Sequence, residues 1–210
     1  MKCLAFDLDG TLITAEQKQV YLLCAVARRY SISLDAVEVW RRKRQGESNK
    51  QLLKNLGISE TVIEKIANSW LQHIESQYWL GYDSLFDDVF GVFEFFKSLD
   101  FDLILITARG NEYLMRQQIK RLGIFDFFSE VCCVLPDNVV SGKSKLLDFY
   151  GASAFFGDSE SDFYASKEAG ILFYGVSTGQ RCKNYLLEKG VENVDHSLSD
   201  AAKRFLLDDI

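Results

Sequence analysis

Two aspartates one residue apart close an apolar run near the start of the chain, in Cys3-Leu4-Ala5-Phe6-Asp7-Leu8-Asp9-Gly10-Thr11. Carboxylates are costly at the end of a buried strand. Residues i and i+2 of a strand point to one side, so Asp7 and Asp9 can face one pocket beyond its carboxyl end. There one can attack as a nucleophile while the other moves a proton. Three more polar groups follow other apolar runs or open a helix between them. They are Thr107-Ala108-Arg109-Gly110, Ser141-Gly142-Lys143-Ser144-Lys145 and Gly157-Asp158-Ser159-Glu160-Ser161-Asp162. Gathered on one sheet edge, these would put several carboxylates, a hydroxyl and an ammonium in one pocket.

Carboxylates so close repel one another, and a divalent cation resolves the repulsion. Oxygen ligands in an open loop suit Mg2+, which keeps several waters and takes substrate phosphate as a further ligand. Asp7 and Asp158 are the expected ligand side chains. Asp9 is expected to add its backbone carbonyl, and Asp162 to orient the others from behind. The threonine and the lysine would hold phosphoryl oxygens, helped by loop N–H groups after Asp7 and Thr107. Lys143 is preferred to Lys145 because it follows Gly142 at an expected helix start, where an anion can sit.

The elements that must position these groups are legible from periodicity. Residues 3–9 read as a buried strand. From about 15 to 81 the spacing turns helical: Val20, Leu23, Cys24 and Ala27 share a face, as do Leu52, Leu53 and Leu56, and then Val62, Ile63, Ile66 and Trp70. Ser33 and Ser59 are candidate N-caps. Beyond Gly81, helices alternate with strands at 103–107, 130–135, 154–157 and 171–174. Such alternation implies an α/β fold, a doubly wound parallel sheet covered on both faces. The expected organisation is a core of residues 1–14 and 82–210, with an all-helical cap, 15–81, inserted after the first strand.

The four motifs in this order resemble those of the haloacid dehalogenase superfamily of phosphohydrolases. The likeness extends to Ala165, Ala169, Gly170, Val176 and Gly179, which sit as in its phosphoglycolate-phosphatase-like members, and the insert resembles that group's C1 cap. The resemblance implies Asp7 as nucleophile forming an aspartyl-phosphate, and Asp9 as the acid and base. It implies Thr107, Ala108 and Lys143 as phosphate-binding residues, Asp158 as a direct Mg2+ ligand and Asp162 as support. Dehalogenases characteristically lack the second aspartate, so Asp9 favours phosphate esters. Two other functions share parts of the pattern: a phosphomutase of the same superfamily, and a non-catalytic receiver-like module phosphorylated on aspartate. The helical insert and Asp9 weigh against the second.

The basic run Arg41-Arg42-Lys43-Arg44 lies in the insert. It reads as a solvated helix face, or as a source of substrate contacts, for which Arg44 and Gln45 are the candidates. Arg109 reads equally as a surface residue or a substrate contact. Gly142-Lys143-Ser144 resembles the end of a P-loop, but Asp137 stands where that motif needs glycine. The chain has 210 residues, 48% of them hydrophobic, and a formal net charge of −6. That charge argues against nucleic acid as the main partner, and no apolar run is long enough to span a bilayer. Five scattered cysteines and the absence of a signal peptide before the first strand point to a cytoplasmic protein. The expected partner is a small phosphorylated metabolite.

Overall fold

The structure, a computed structural model, describes residues 2–208. Its elements in chain order are β1 (Cys3–Phe6), α1 (Glu16–Arg28), α2 (Ala36–Arg44), α3 (Asn49–Asn55), α4 (Glu60–His73), α5 (Gln77–Leu80), α6 (Val89–Ser98) and β2 (Asp102–Ala108). They continue with α7 (Glu112–Arg121), β3 (Glu130–Val134), α8 (Val139–Phe149), β4 (Ala152–Gly157), α9 (Glu160–Ala169), β5 (Leu172–Val176), α10 (Lys183–Glu188), β6 (Val194–Asp195) and α11 (Leu198–Asp208). The strands form one parallel sheet in the order β3-β2-β1-β4-β5-β6. The chain winds to one side from β1 and then returns to add β4 on the other. The carboxyl ends of β1, β2 and β4 therefore flank the point where strand order reverses, the usual binding crevice of such sheets.

Alternation along the strands explains their unbroken apolar runs. Leu4, Phe6, Leu103, Leu105 and Phe156 join Phe93, Phe96 and Phe205 on one face of the sheet. Ala5, Ile104, Ile106 and Phe155 join Leu147 and Ala165 on the other. Both faces are dry, as a parallel sheet requires. The first strand is shorter than the expected 3–9, ending at Phe6, although the Asp7 N–H still donates to the Phe156 carbonyl at 2.9 Å. The chain then turns through Gly10 at φ +85°. A side chain at Gly10 would collide with the Asp158 carboxylate and the Gly179 backbone. β6 escaped the sequence reading because two residues cannot display a period.

Helices α1–α5 bury their own cluster, in which Val20, Leu23, Val39, Trp40, Leu52, Leu53, Ile63 and Ile66 pack together, with Trp70 and Trp79 partly buried against it. The chain leaves and re-enters the sheet region at one place. Ile13 bridges Leu85, the Thr14 N–H donates to Ser84 at 2.8 Å, and the Phe86 N–H donates to Leu12 at 3.0 Å. Three local expectations need correction. Leu56 is exposed, because α3 ends there and Gly57, at φ +76°, turns the chain away. Asp35, not Ser33, caps α2, its carboxylate accepting the Val37 and Glu38 N–H groups. Ser59 stands at the N-cap of α4 but makes no capping bond with its side chain.

Nor is the basic run a uniformly solvated face. Arg41 is exposed and pairs with Glu38, whereas Lys43 is buried, its ammonium 2.8 Å from the Asn49 amide oxygen. Among the described residues no salt bridge reaches Lys43. Burial first, and Arg181 second, pull its pKa from 10.5 to about 7. The unfolded chain thus binds more protons between those values, so stability should rise as pH climbs through that window. Lys43→Met should stabilise the protein by about 2–4 kcal/mol at pH 6, the gain fading near pH 10. Urea unfolding at both pH values checks this, and equal midpoints at pH 6 would refute it.

Candidate active site

The carboxyl edge of the sheet gathers the acids. Asp7 is buried, and its Oδ1 lies 2.6 Å from the Lys143 ammonium, which is equally close, at 2.6 Å, to Asp162 Oδ1. The other Asp162 oxygen accepts the Ser159 hydroxyl at 2.6 Å and the Ser159 N–H at 3.2 Å, in a capping box that starts α9. Asp162 is thereby clamped, and it fixes Lys143 in turn. Burial alone would lower the Lys143 pKa, but Asp162 and Asp7 outweigh it and raise it, so the ammonium stays charged. Burial raises the Asp7 pKa despite the lysine. Asp158 receives the Gln180 N–H at 2.6 Å, and no salt bridge reaches it among the described residues. Burial, and then Asp7 and Asp162, push its pKa well up. Carboxylate oxygens of Asp7, Asp158 and Asp162 all lie within 4.8 Å of one another.

Lys143 does not open its helix. α8 begins at Val139, so the lysine sits in the second turn and reaches the acids by its length rather than across a helix terminus. The anion-binding reason for preferring it therefore does not hold, although its contacts do separate it from Lys145, which is exposed. Thr107, buried at the end of β2, and Ala108 line the same cavity of about 290 Å³ as Asp7, Lys143 and Asp158.

Asp9 has different company and stands outside the acidic cluster. Arg109 grips it with two hydrogen bonds of 2.7 Å, and Lys18 adds a third at 2.9 Å. Burial would raise the Asp9 pKa, but these cations outweigh it and hold it at about 2. Lys18 also meets Asp83 at 2.6 Å, and Gln118 donates to Asp83 at 2.7 Å. This buried network joins α1 of the insert to β2 and α7. Arg109 is not a surface residue: it is buried, pairs with Asp9 and lines the cavity.

Arg44 and Gln45 are not brought to the cavity. Arg44 donates to the Ser177 carbonyl at 2.7 Å, and the exposed Gln45 accepts from Arg41 at 3.0 Å. The α2 terminus thus docks on the loop before α10 instead of reaching over the acids. The insert's contributions to the cavity are Lys18, Gln19, Trp70, Leu71, Ile74 and Glu75. Spacing alone marks none of them as a site residue; the one local signal is Lys18, a charge on the otherwise apolar-faced α1. Glu75 accepts the Gly110 N–H at 2.8 Å and the Asn111 N–H at 2.7 Å, while the Arg109 N–H goes to Val134. These three N–H groups beyond Thr107 are therefore engaged within the protein.

Comparison with known proteins shows the family of the chain. A family model described as haloacid dehalogenase-like hydrolase matches residues 1–170. The chain belongs to that family and is an enzyme of the hydrolase class. It is 28% identical over 202 residues to a phosphoglycolate phosphatase of Neisseria gonorrhoeae, covering 85% of this chain and 81% of that one. Among solved structures it is similar to a haloacid dehalogenase-like family hydrolase from Streptococcus pneumoniae, with a TM-score of 0.80, 17% identity and 98% of each chain covered. It is also similar to a predicted phosphoglycolate phosphatase from Haemophilus somnus, with a TM-score of 0.73, 17% identity and 98% of each chain covered. These two likenesses concern the fold. Among the described residues, no helix is long and apolar enough to cross a membrane.

Proposed function

We propose that this hydrolase is a phosphatase that cleaves a small phosphomonoester through an aspartyl-phosphate on Asp7. One observation carries the reading: Asp7, paired with an ammonium and close to Asp158, which has no salt bridge among the described residues, lines one cavity with Thr107. In the first half-reaction an Asp7 oxygen attacks phosphorus, the ester P–O bond breaks and the departing alkoxide takes a proton from Asp9. In the second, water attacks the same phosphorus and gives its proton to Asp9. The bond to Asp7 breaks and inorganic phosphate leaves. Thr107 and Lys143 hold the phosphoryl oxygens, and positioning with charge neutralisation does most of the catalysis.

The ion pair with Arg109 and Lys18 holds Asp9 in the anionic form, ready for the second half-reaction. For the first, Asp9 must part from at least one of these cations and take up a proton from solvent, which it then gives to the alkoxide. Substrate arriving between α1 and the sheet edge is the natural cause.

Three buried carboxylates close together, of which only Asp7 and Asp162 meet Lys143, offer oxygen donors alone and fit a hard divalent cation. Asp7 and Asp158 would hold Mg2+ together with the Asp9 carbonyl, and Asp162 would keep Lys143 and the shell in place. The ion supplies charge neutralisation for the phosphoryl oxygens. Residues 15–81 act as a cap on a core of 1–14 and 82–210, and α1 and α4 exclude water from the cavity. The substrate is a small phosphorylated metabolite.

Phosphate release from a panel of small phosphomonoesters tests the reading. With Mg2+ present, at least one ester should turn over, and EDTA should lower the rate by about 10³-fold or more, reversibly. Undiminished turnover in a metal-free preparation would remove the ion from the mechanism.

A further inference from the structure

The cavity has two walls. Its floor carries the acids with Lys143 and Thr107. The insert's side is mixed: Trp70, Leu71 and Ile74, at the end of α4, form an apolar patch beside Lys18, Gln19 and Glu75, and Pro136 and Val139 add apolar surface from the start of the α8 segment. Leu71 is 61% exposed although it lines the cavity, so its side chain lacks an apolar partner from the protein. The Trp70 indole N–H is already satisfied by the Gln19 carbonyl at 3.2 Å, which leaves its ring as apolar surface.

The charges of the cavity are also already matched. Four cations line it, and each is paired: Lys18 with Asp9 and Asp83, Arg109 with Asp9, Lys143 with Asp7 and Asp162, and Arg181 with Glu160. Glu75 adds a negative charge beside the apolar patch. Among the described lining residues no cation is unpaired at rest, and Lys18, when Asp9 parts from it, keeps Asp83 as its partner. Burying a second anionic group of a substrate unpaired is costly. The volume of about 290 Å³ lies at the lower edge of the size typical of pockets for organic ligands, roughly 300–1,000 Å³.

We infer that the leaving group of the substrate is an uncharged alcohol with an aromatic or other apolar surface, seated on Trp70, Leu71 and Ile74, and not a small carboxylate such as glycolate. The inference rests on the phosphatase reading above and narrows its substrate class.

Matched esters test it. Benzyl phosphate is compared with ethyl phosphate, alcohols of similar acidity that differ in apolar surface. 4-Carboxybenzyl phosphate is compared with benzyl phosphate, and 2-phosphoglycolate with ethyl phosphate, pairs that differ by a carboxylate. Benzyl phosphate should exceed ethyl phosphate in kcat/KM by about 10- to 100-fold. Each carboxylate should lower kcat/KM by about 10-fold or more. Leu71→Ala should raise KM for benzyl phosphate. Leu71→Arg, at a side chain exposed enough to replace without disturbing the cap cluster, should raise the 4-carboxybenzyl to benzyl ratio by about 5-fold or more. A ratio unmoved by Leu71→Arg overturns the seat on α4. Should 2-phosphoglycolate equal or exceed benzyl phosphate, the inference falls and the phosphatase reading stands. No phosphate from any of the four esters overturns the inference, and turnover of another ester of the panel then keeps the phosphatase reading.

Discussion

Asp7→Asn should lower kcat by about 10⁴-fold or more while leaving the fold intact, because the amide keeps the shape of the carboxylate and loses its nucleophilic oxygen. The loss should appear in kcat rather than in KM, since Thr107 and Lys143 still bind the phosphoryl group. Stability should not suffer. Burial opposes the charge on Asp7, and Lys143 keeps Asp162 as a partner at 2.6 Å. A phosphate-trapping experiment adds a second readout: acid-quenched enzyme should retain substrate-derived phosphate in the wild type and none in the variant. Normal turnover in Asp7→Asn, or equal trapping in both, would take the nucleophile role away from this residue.

The other large effect is expected at Lys143. Removing one partner of a buried ion pair leaves the other uncompensated and typically costs about 3–5 kcal/mol. Here two partners are stranded, Asp7 and Asp162, beside Asp158, which has no salt bridge among the described residues. Lys143→Ala should therefore lower the melting temperature by about 6–15 °C in a chain of this size and reduce turnover severely. Added Mg2+ should raise the melting temperature of the variant more than that of the wild type, because the cation then offsets charge that the ammonium no longer does. Lys145→Ala is the internal control: its side chain is exposed, so a change within about 0.5 kcal/mol is expected. Equal effects at the two lysines would mean that the contact with Asp7 does not govern the site.

The two lysines also show how far residue spacing reaches. The sequence argument reached Lys143 through a helix terminus that lies four residues earlier, at Val139. What selects Lys143 is the side of α8 it occupies, toward Asp7, while Lys145 faces solvent. The basic run teaches the same thing in reverse. Spacing marked Arg44 and Gln45 as the insert's contribution, but α2 docks by its end on the loop at Ser177, and α1 and α4 present Lys18, Trp70 and Leu71 instead. Nothing in the local pattern says which face of which helix meets the sheet edge.

The alternation of strands and helices, the helical insert and the meeting of Asp7, Asp9, Thr107 and Asp158 on one sheet edge are legible from residue order alone. Those features follow from strand period and from the single hand and direction of parallel crossovers, which are local or topological rules. Packing between layers sets the rest: Arg109 and Lys18 clasp Asp9, Lys43 is buried, and Trp70, Leu71 and Ile74 line the cavity. Those depend on how one packed layer settles against another, and side chains far apart in the chain meet there through shape and charge that no short stretch of residues encodes.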